Sequence, residues 1–548
     1  MIPAVRVLCS ALVLSALALS GCSHSSTPAA LNVVEAPGPN VAEAHLRRQI
    51  DQAPRTLDPG LSVEVPAQRV IDDLFEGLVR LDPAGQLIPA LASRWEISAD
   101  QLQWTFQLRT DARWSDDSPI TAHDVVFAWR RVVDPATASQ AAQMLAPVRN
   151  ALQIAGGRLP PDQLGVQATD AHTVVVQLVA PTGWFAYQLT NNSLYPVPEH
   201  VVRQHGAGWV KPGVMVSNGA FVLEEARING AIHLVRNTRY RDAAAVKLQR
   251  VTYYPVSDRA AAASRYLAGD VDVTDGFPIE DIELLSQQLG SQLKLAPYLG
   301  TVMFGMNQTR PPFNSAALRM ALTLAIDRDV LTTKLLHDLY LPAYTLVPAN
   351  GGYEPPLPEW VQWTADQRHA RARQLYAQAG YSAAHPLQVD LSYPTSGPDT
   401  RRVLEALTAM WQVNLGAEVR LANEEWRVHQ QNRLLSVHAL FWNAWIGDYP
   451  DPQTFLDLYR VGSPQNHGKY NNANYERLIA LGSATGDAQQ RTQAWQQAES
   501  QLNADAAFIP VYYYQSRHLI RPWVQGWQGN ITDRHLSRDL WLSTQVSQ

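Results

Sequence analysis

Asp448 and Asp451 lie three residues apart in Trp445-Ile446-Gly447-Asp448-Tyr449-Pro450-Asp451, and a nearby carboxylate pair is what acid–base hydrolysis of a glycosidic bond requires. Sixteen tryptophans could stack on sugar rings. Most of them, however, fall in amphipathic patterns that core packing explains, and acidic residues at this spacing are common on loops, so a glycosidase is a secondary reading. Other reaction chemistry has less support. The chain has no Gly-x-x-x-x-Gly-Lys-Ser/Thr loop, no Gly-x-Gly-x-x-Gly turn, no His-Glu-x-x-His helix and no Gly-x-Ser-x-Gly elbow. The 15 histidines are scattered, and one such as His438 in an apolar context reads as a hydrogen-bonded structural residue. Neither a metal site nor a cofactor is expected. Cys9 and Cys22, the two cysteines, both precede the folded body, which therefore has neither an internal disulfide nor a cysteine-ligated metal.

Short β-like segments interleaved with helices must position any site. Leu102, Trp104, Phe106 and Leu108 alternate onto one face of a strand. Thr121 with Asp124 reads as the capping box of a helix that buries Val125, Ala128, Trp129 and Val132 and stops at Pro135. Asn314 or Ser315 can cap a helix with the stripe Leu318, Leu322, Ala325 and Ile326, and a further helix runs from Thr364 to Ala379 and closes at Gly380. Strand patterns at 173–178, 221–224, 232–235, 251–254 and 387–393 complete a mixed α/β chain. Its 548 residues suffice for three or four domains. A net charge of −6 with no dense basic patch argues against a nucleic-acid partner.

Met1 to Ser20 carries Arg6, then an apolar run, then small residues, the layout of a secretory signal. No later stretch approaches the roughly 18 apolar residues of a membrane span. Leu19-Ser20-Gly21-Cys22 resembles a bacterial lipobox, which makes Cys22 the expected lipidation site and residues 1–21 the signal peptide. Residues 22–40, rich in Ser and Pro, read as a flexible tether. The body is expected outside the cytoplasm, in the periplasm or cell envelope, anchored to membrane by lipid.

Longer phrases carry more information than any catalytic pattern. Asp73-Leu74-Phe75-Glu76-Gly77-Leu78, Trp104-Thr105-Phe106 and Trp114-Ser115-Asp116 running on to Asp124-Val125 resemble the large extracytoplasmic peptide-binding proteins of bacterial ABC transporters, solute-binding protein family 5. So do Asn218-Gly219-Ala220-Phe221, Pro311-Pro312-Phe313-Asn314, Glu425-Trp426 and Pro510-Val511-Tyr512-Tyr513-Tyr514, in the family's order. The resemblance implies an α/β, two-lobed periplasmic-binding-protein clamp of the type II, large three-domain class. Lobe I would comprise 41–75, 201–299 and 516–548, with an additional domain at 76–200; lobe II would be 300–515. Chain crossings near Gly300 and Tyr514 would form the hinge.

The expected function is capture of oligopeptides and delivery to ABC transporter permease subunits by a monomer, without covalent chemistry. Alternatives within the class are a murein tripeptide, a dipeptide, an oligosaccharide, haem or a nickel chelate. A receptor of broad specificity must treat a peptide as an added β-strand and leave wet side-chain pockets. By resemblance, Asp448 would pair with the ligand's α-ammonium. Val65 and Ala444, in segments expected to be extended, would bond its backbone. Trp426 and Trp445 would wall pockets. Basic residues that hold the peptide's C-terminus in relatives match Leu336, Thr400 and Trp442 here, and none of these is a cation; Trp442 would still contact the ligand. Arg433, Arg401 and Arg402 are the candidate replacements, Arg433 foremost, so an altered length or end preference is expected.

Overall fold

The protein is described here from a computed structural model covering residues 43–543 except 351, 396 and 397. The signal, Cys22 and the tether lie outside the described residues. The chain forms a two-lobed α/β clamp. One four-stranded sheet sets His45–Ile50 parallel to Arg250–Pro255, followed by antiparallel Ile232–Arg236 and Phe221–Ala226. A second sheet is antiparallel throughout, in the order Ala92–Ile97, Gln103–Leu108, Thr173–Gln177, Val166–Asp170. The third, of six strands, runs Tyr340–Pro342, Phe508–Leu519, Leu293–Met306, Leu440–Ile446, Gln388–Pro394, Glu418–Glu424.

Alternation and capping set the local structure. Trp104, Phe106 and Leu108 are buried on one face of their strand. The helix Ala122–Val133 starts at a formed capping box, in which Thr121 N–H donates to Asp124 Oδ2 at 2.8 Å, and it buries all four residues of its apolar stripe. Trp129 and Trp104 both meet Phe185 edge-on, at 6.3 and 5.4 Å between ring centroids. Of the two candidate caps near 315, Ser315 is the one used, accepting from Leu318 N–H. Thr364 caps Ala365–Gln378, and Gly380 follows with φ +94°, a conformation glycine adopts freely.

Two phrases distant in sequence meet at one junction. The helix Val65–Leu74 leads into Phe75 and Glu76, and three carboxylates there strap down the C-terminal segment. Asp72 accepts from Arg534 Nη2 and Nε at 2.6 and 3.0 Å. Asp73 accepts from Ser537 N–H and the Tyr253 hydroxyl. Glu76 takes Arg241 and Arg538 at 2.8 and 2.7 Å. Asn218 bonds both backbone groups of Glu76, and Gly219 lies so close to 73–75 that a Cβ there would sit 2.6–2.7 Å from backbone atoms.

The long strands Leu293–Met306 and Phe508–Leu519 link the lobes. Their halves at 301–305 and 508–513 pair within the six-stranded sheet, and after a register break 293–297 pairs with 515–519. Beyond that, Val273 bridges both Ile520 and Arg48 of the first sheet. A two-stranded ribbon of this kind can bend while resisting twist.

Candidate ligand-binding cleft

A cavity of about 310 Å³ lies between the lobes. One wall is built by Val63, Val65, Arg69 and the segment 532–536, and the other by Ile446 to Pro450. Asp448 belongs to the second wall, two residues past the strand Leu440–Ile446. Gly447 makes the turn possible: its N–H donates to Leu299 O at 2.8 Å, and a Cβ would fall 2.6 Å from the Leu299 side chain.

Among the described residues no cation pairs with Asp448. Thr454 Oγ1 accepts from the Asp448 N–H and from Trp445 Nε1, both at 3.2 Å, which fixes the loop and leaves the carboxylate facing the cleft. That carboxylate is open to cleft water, yet protein atoms crowd it from several sides. Crowding pushes its pKa up to about 6, against a smaller downward pull from the Thr454 hydroxyl.

The facing wall is charged but internally paired. Arg69 contacts Asp275 Oδ2 at 2.8 Å and Asp533 Oδ2 at 2.7 Å, and Arg534 is held by Asp72. Burial alone would raise the Asp533 carboxyl, but His518 and Arg69 outweigh it and hold the group well below the usual range. Asp448 is therefore the carboxylate on the cleft that still lacks a counter-ion among the described residues.

Ala444 is half-buried in the strand that precedes Asp448 and pairs with Val302 on one side only. On its other side, Gln388–Pro394 matches just Leu440 and Phe441, so beyond Trp442 that edge has no strand partner among the described residues. Alternate residues of an antiparallel strand direct their N–H and C=O away from the paired neighbour, and an open edge offers these groups to an added strand.

Val65 lines the cavity but is not extended as expected. It is the first residue of the helix Val65–Leu74, because Pro66 fixes φ and fits only the first turn. An N–H in a first helical turn has no intrahelical acceptor. Arg433, on the helix Trp426–Leu434, is buried beside the same strand. It donates to Asn443 Oδ1 and Gln430 Oε1, finds no carboxylate among the described residues and leaves Nε unbonded, and burial lowers its pKa to about 10.

The other expectations divide. Trp445 is half-buried two residues before Gly447, packs partly against the core and is not among the residues lining the cavity. Trp426 is 54% exposed at the start of its helix and does not line the cavity. Trp442 is in the lobe core, edge-on to Phe304 and Tyr512, where it walls no cleft. Leu336 is also buried, and Thr400 is half-buried on the helix Pro398–Leu415. Arg401 pairs with Glu405 and Arg402 with Glu280, so neither matches Arg433 as a cation lacking a carboxylate. Sequence reasoning missed Arg69, Asp533, Arg534 and His535. The signal available was Thr532-Asp533-Arg534-His535, a dense charged run in a chain only 17% charged.

Residues 86–467 match the family of bacterial extracellular solute-binding proteins, family 5 (middle region). The chain is 36% identical over 542 residues to the periplasmic murein peptide-binding protein MppA of Escherichia coli, covering 98% of this chain and 99% of that one. It is 37% identical to the periplasmic oligopeptide-binding protein OppA of Salmonella typhimurium, covering 87% and 88%. It is 38% identical to the probable deoxycholate-binding periplasmic protein YgiS of E. coli, covering 89% and 92%. The solved unliganded open form of MppA superposes with a TM-score of 0.81 at 37% identity, over 91% of this chain and 97% of that structure.

Proposed function

The chain belongs to the bacterial extracellular solute-binding proteins, family 5, and from that premise we propose that it is a peptide receptor of the cell envelope that hands its cargo to an ABC transporter permease. The observation that carries this reading is Asp448: a carboxylate on an interlobe cavity, next to a strand edge, with neither a counter-ion for the one nor a strand partner for the other among the described residues. A peptide supplies what is missing there, an α-ammonium for the carboxylate and backbone groups for the edge. Trp445, half-buried two residues before Gly447, would flank the first side chain.

Arg433 supports an anionic contact at the far end. Five residue steps separate Asn443, which it holds, from Asp448, at most about 16 Å at about 3.3 Å per strand residue because the chain turns at Gly447. Shortened by two inward-reaching side chains, that span suits a peptide of roughly three to five residues, or a shorter one with a second carboxylate. A murein-type peptide meets the second description. A bile acid fits less well, since its carboxylate would face Asp448 with no ammonium between them.

We assign no covalent reaction to the site: Asp451 faces Arg491 at 3.8 Å on its own wall, so the carboxylate pair required for a glycosidase is not presented to the cleft. The anchor is assigned to Cys22, which would hold a monomer on the membrane through the tether. Calorimetry with one tripeptide, its N-acetyl derivative, a murein tripeptide and deoxycholate tests the reading. Free-amine peptides should bind and the other ligands should not; deoxycholate binding alone would replace it.

A further inference from the structure

On the wall opposite Asp448, three more side chains converge. His518, Asp533 and His535 each bring one potential ligand atom within 4.8 Å of the others, and all three are buried. His518 Nε2 lies 2.7 Å, and His535 Nε2 3.1 Å, from the same oxygen, Asp533 Oδ1. The outer atoms are fixed as well. His518 Nδ1 is 2.7 Å from the carbonyl oxygen of Thr274 and must donate to it, while Asp533 Oδ2 accepts from Arg69 Nη2 at 2.7 Å.

This orientation has a chemical consequence. With its Nδ1–H held by the Thr274 carbonyl, His518 faces a carboxylate oxygen with Nε2 at 2.7 Å, a contact that requires a proton or a cation between the two atoms. A histidine whose outer N–H is held by a backbone carbonyl, next to a carboxylate whose outer oxygen is also held, is the arrangement that orients metal ligands. Asp533 is set in place by a left-handed backbone, φ +51°, that non-glycine residues seldom adopt. Trp527 stacks on His535 at 3.7 Å and meets His518 edge-on at 4.9 Å, covering both rings with apolar surface. Asp275 supplies Arg69 with a second carboxylate, so Asp533 is not its only counter-ion.

We propose that His518, Asp533 and His535 form a site for a divalent transition-metal ion whose open coordination position faces the ligand cleft. Asp533 and His535 line that cavity. Two imidazoles and one carboxylate suit zinc, copper(II) or nickel and not calcium, which needs more oxygen ligands. Bonds of about 2.1 Å in tetrahedral geometry set ligand atoms about 3.4 Å apart, so His518 Nε2 must draw back from Asp533 Oδ1 by about 0.7 Å and His535 Nε2 by about 0.3 Å. On binding, the ion replaces any proton held between His518 and Asp533, and that proton passes to solvent.

The test uses tag-free full-length protein stripped with a chelator and titrated with Zn²⁺ alone at pH 7.5, with no peptide present. One equivalent should bind with a Kd of about 10 μM or tighter, and His518→Gln and His535→Gln should each weaken it at least about 30-fold, whereas Asp448→Asn should not. Co²⁺ should give the intense visible absorption of a tetrahedral N/O site in the wild type and lose it in both variants. Melting curves without metal establish that the variants are folded. Absence of saturable Zn²⁺ binding to the wild type, a result that depends on no variant, overturns the assignment and leaves a protonated hydrogen-bond network; equal binding by wild type and both variants also overturns it.

Discussion

Replacing Asp448 by Asn removes one charge and keeps the shape. The Thr454 contacts run through the Asp448 backbone N–H and Trp445, so they survive the change. Two unit charges about 4 Å apart attract by about 4 kcal/mol at an effective dielectric of about 20. Part of that is lost to dehydration as the lobes close on the ammonium, and truncating one member of an enclosed, hydrogen-bonded charge pair typically costs about 2–5 kcal/mol. A loss of about 3 kcal/mol weakens binding of a free-amine tripeptide roughly 150-fold. Acetylating the peptide should cost the wild type a similar amount and the variant little, so calorimetry on the four combinations should return a coupling of about 3 kcal/mol. The pH profile carries the same information. Crowding raises the Asp448 carboxyl to about 6, so affinity should be flat above pH 7 until the ligand amine deprotonates near about pH 8, and should fall as pH drops through 6, by at most about tenfold per unit. A coupling below about 0.5 kcal/mol, or a profile with no step near 6, refutes the ammonium pairing.

Glu499 is fully buried, accepting from Leu346 and Val347 N–H and from the Tyr353 hydroxyl, and burial raises its pKa to about 7. Its raised pKa means that stability is greatest below about 4.5 and is lost as pH rises through 7, by about 3 kcal/mol, so Glu499→Gln should flatten the melting temperature between pH 5 and 8. Gly219→Ala would place a methyl against the backbone of 73–75 and should cost about 3 kcal/mol in urea titration. Asp72→Ala strands the Arg534 guanidinium and should cost about 3 kcal/mol, with earlier proteolysis of the C-terminal segment as the readout. Cys22→Ala should move the protein from the membrane to the soluble fraction of a fractionated cell.

Elements were legible where a local rule dominates. Period-2 burial at Trp104, Phe106 and Leu108, the Thr121–Asp124 box and the Gly380 stop each depend on neighbours within one turn, and each formed as read. Val65 defeated that reasoning because Glu64-Val65-Pro66 suits an extended segment and a helix start equally; Pro66 decides between them only once the rest of the helix has a core to face. Trp442 failed for the opposite reason. A strand residue beside a binding edge points to one face or the other, and the register with Phe304 that turns it inward comes from a strand more than a hundred residues earlier. The paired charges of 532–536 were invisible as a cleft wall, since the helix that pairs with them lies at the other end of the chain.

The phrases that reveal the family do little to define its cargo. Asp73-Leu74-Phe75-Glu76-Gly77 and Asn218-Gly219 carry buried carboxylates, a backbone-bonding amide and glycines against which a side chain would clash, and changing any of them is expected to cost several kcal/mol. Asp448 and Val65 line the cleft with exposed side chains, where substitutions usually alter stability by less than about 0.5 kcal/mol. Architecture therefore persists while the cleft is free to change, and relatives 36–38% identical bear names for a murein peptide, an oligopeptide and deoxycholate. Overall identity cannot choose among such ligands; the charges left uncompensated in the cleft can. Asp448, a cleft carboxylate without a counter-ion among the described residues, calls for a ligand with a positive group, and the α-ammonium of a short peptide supplies one.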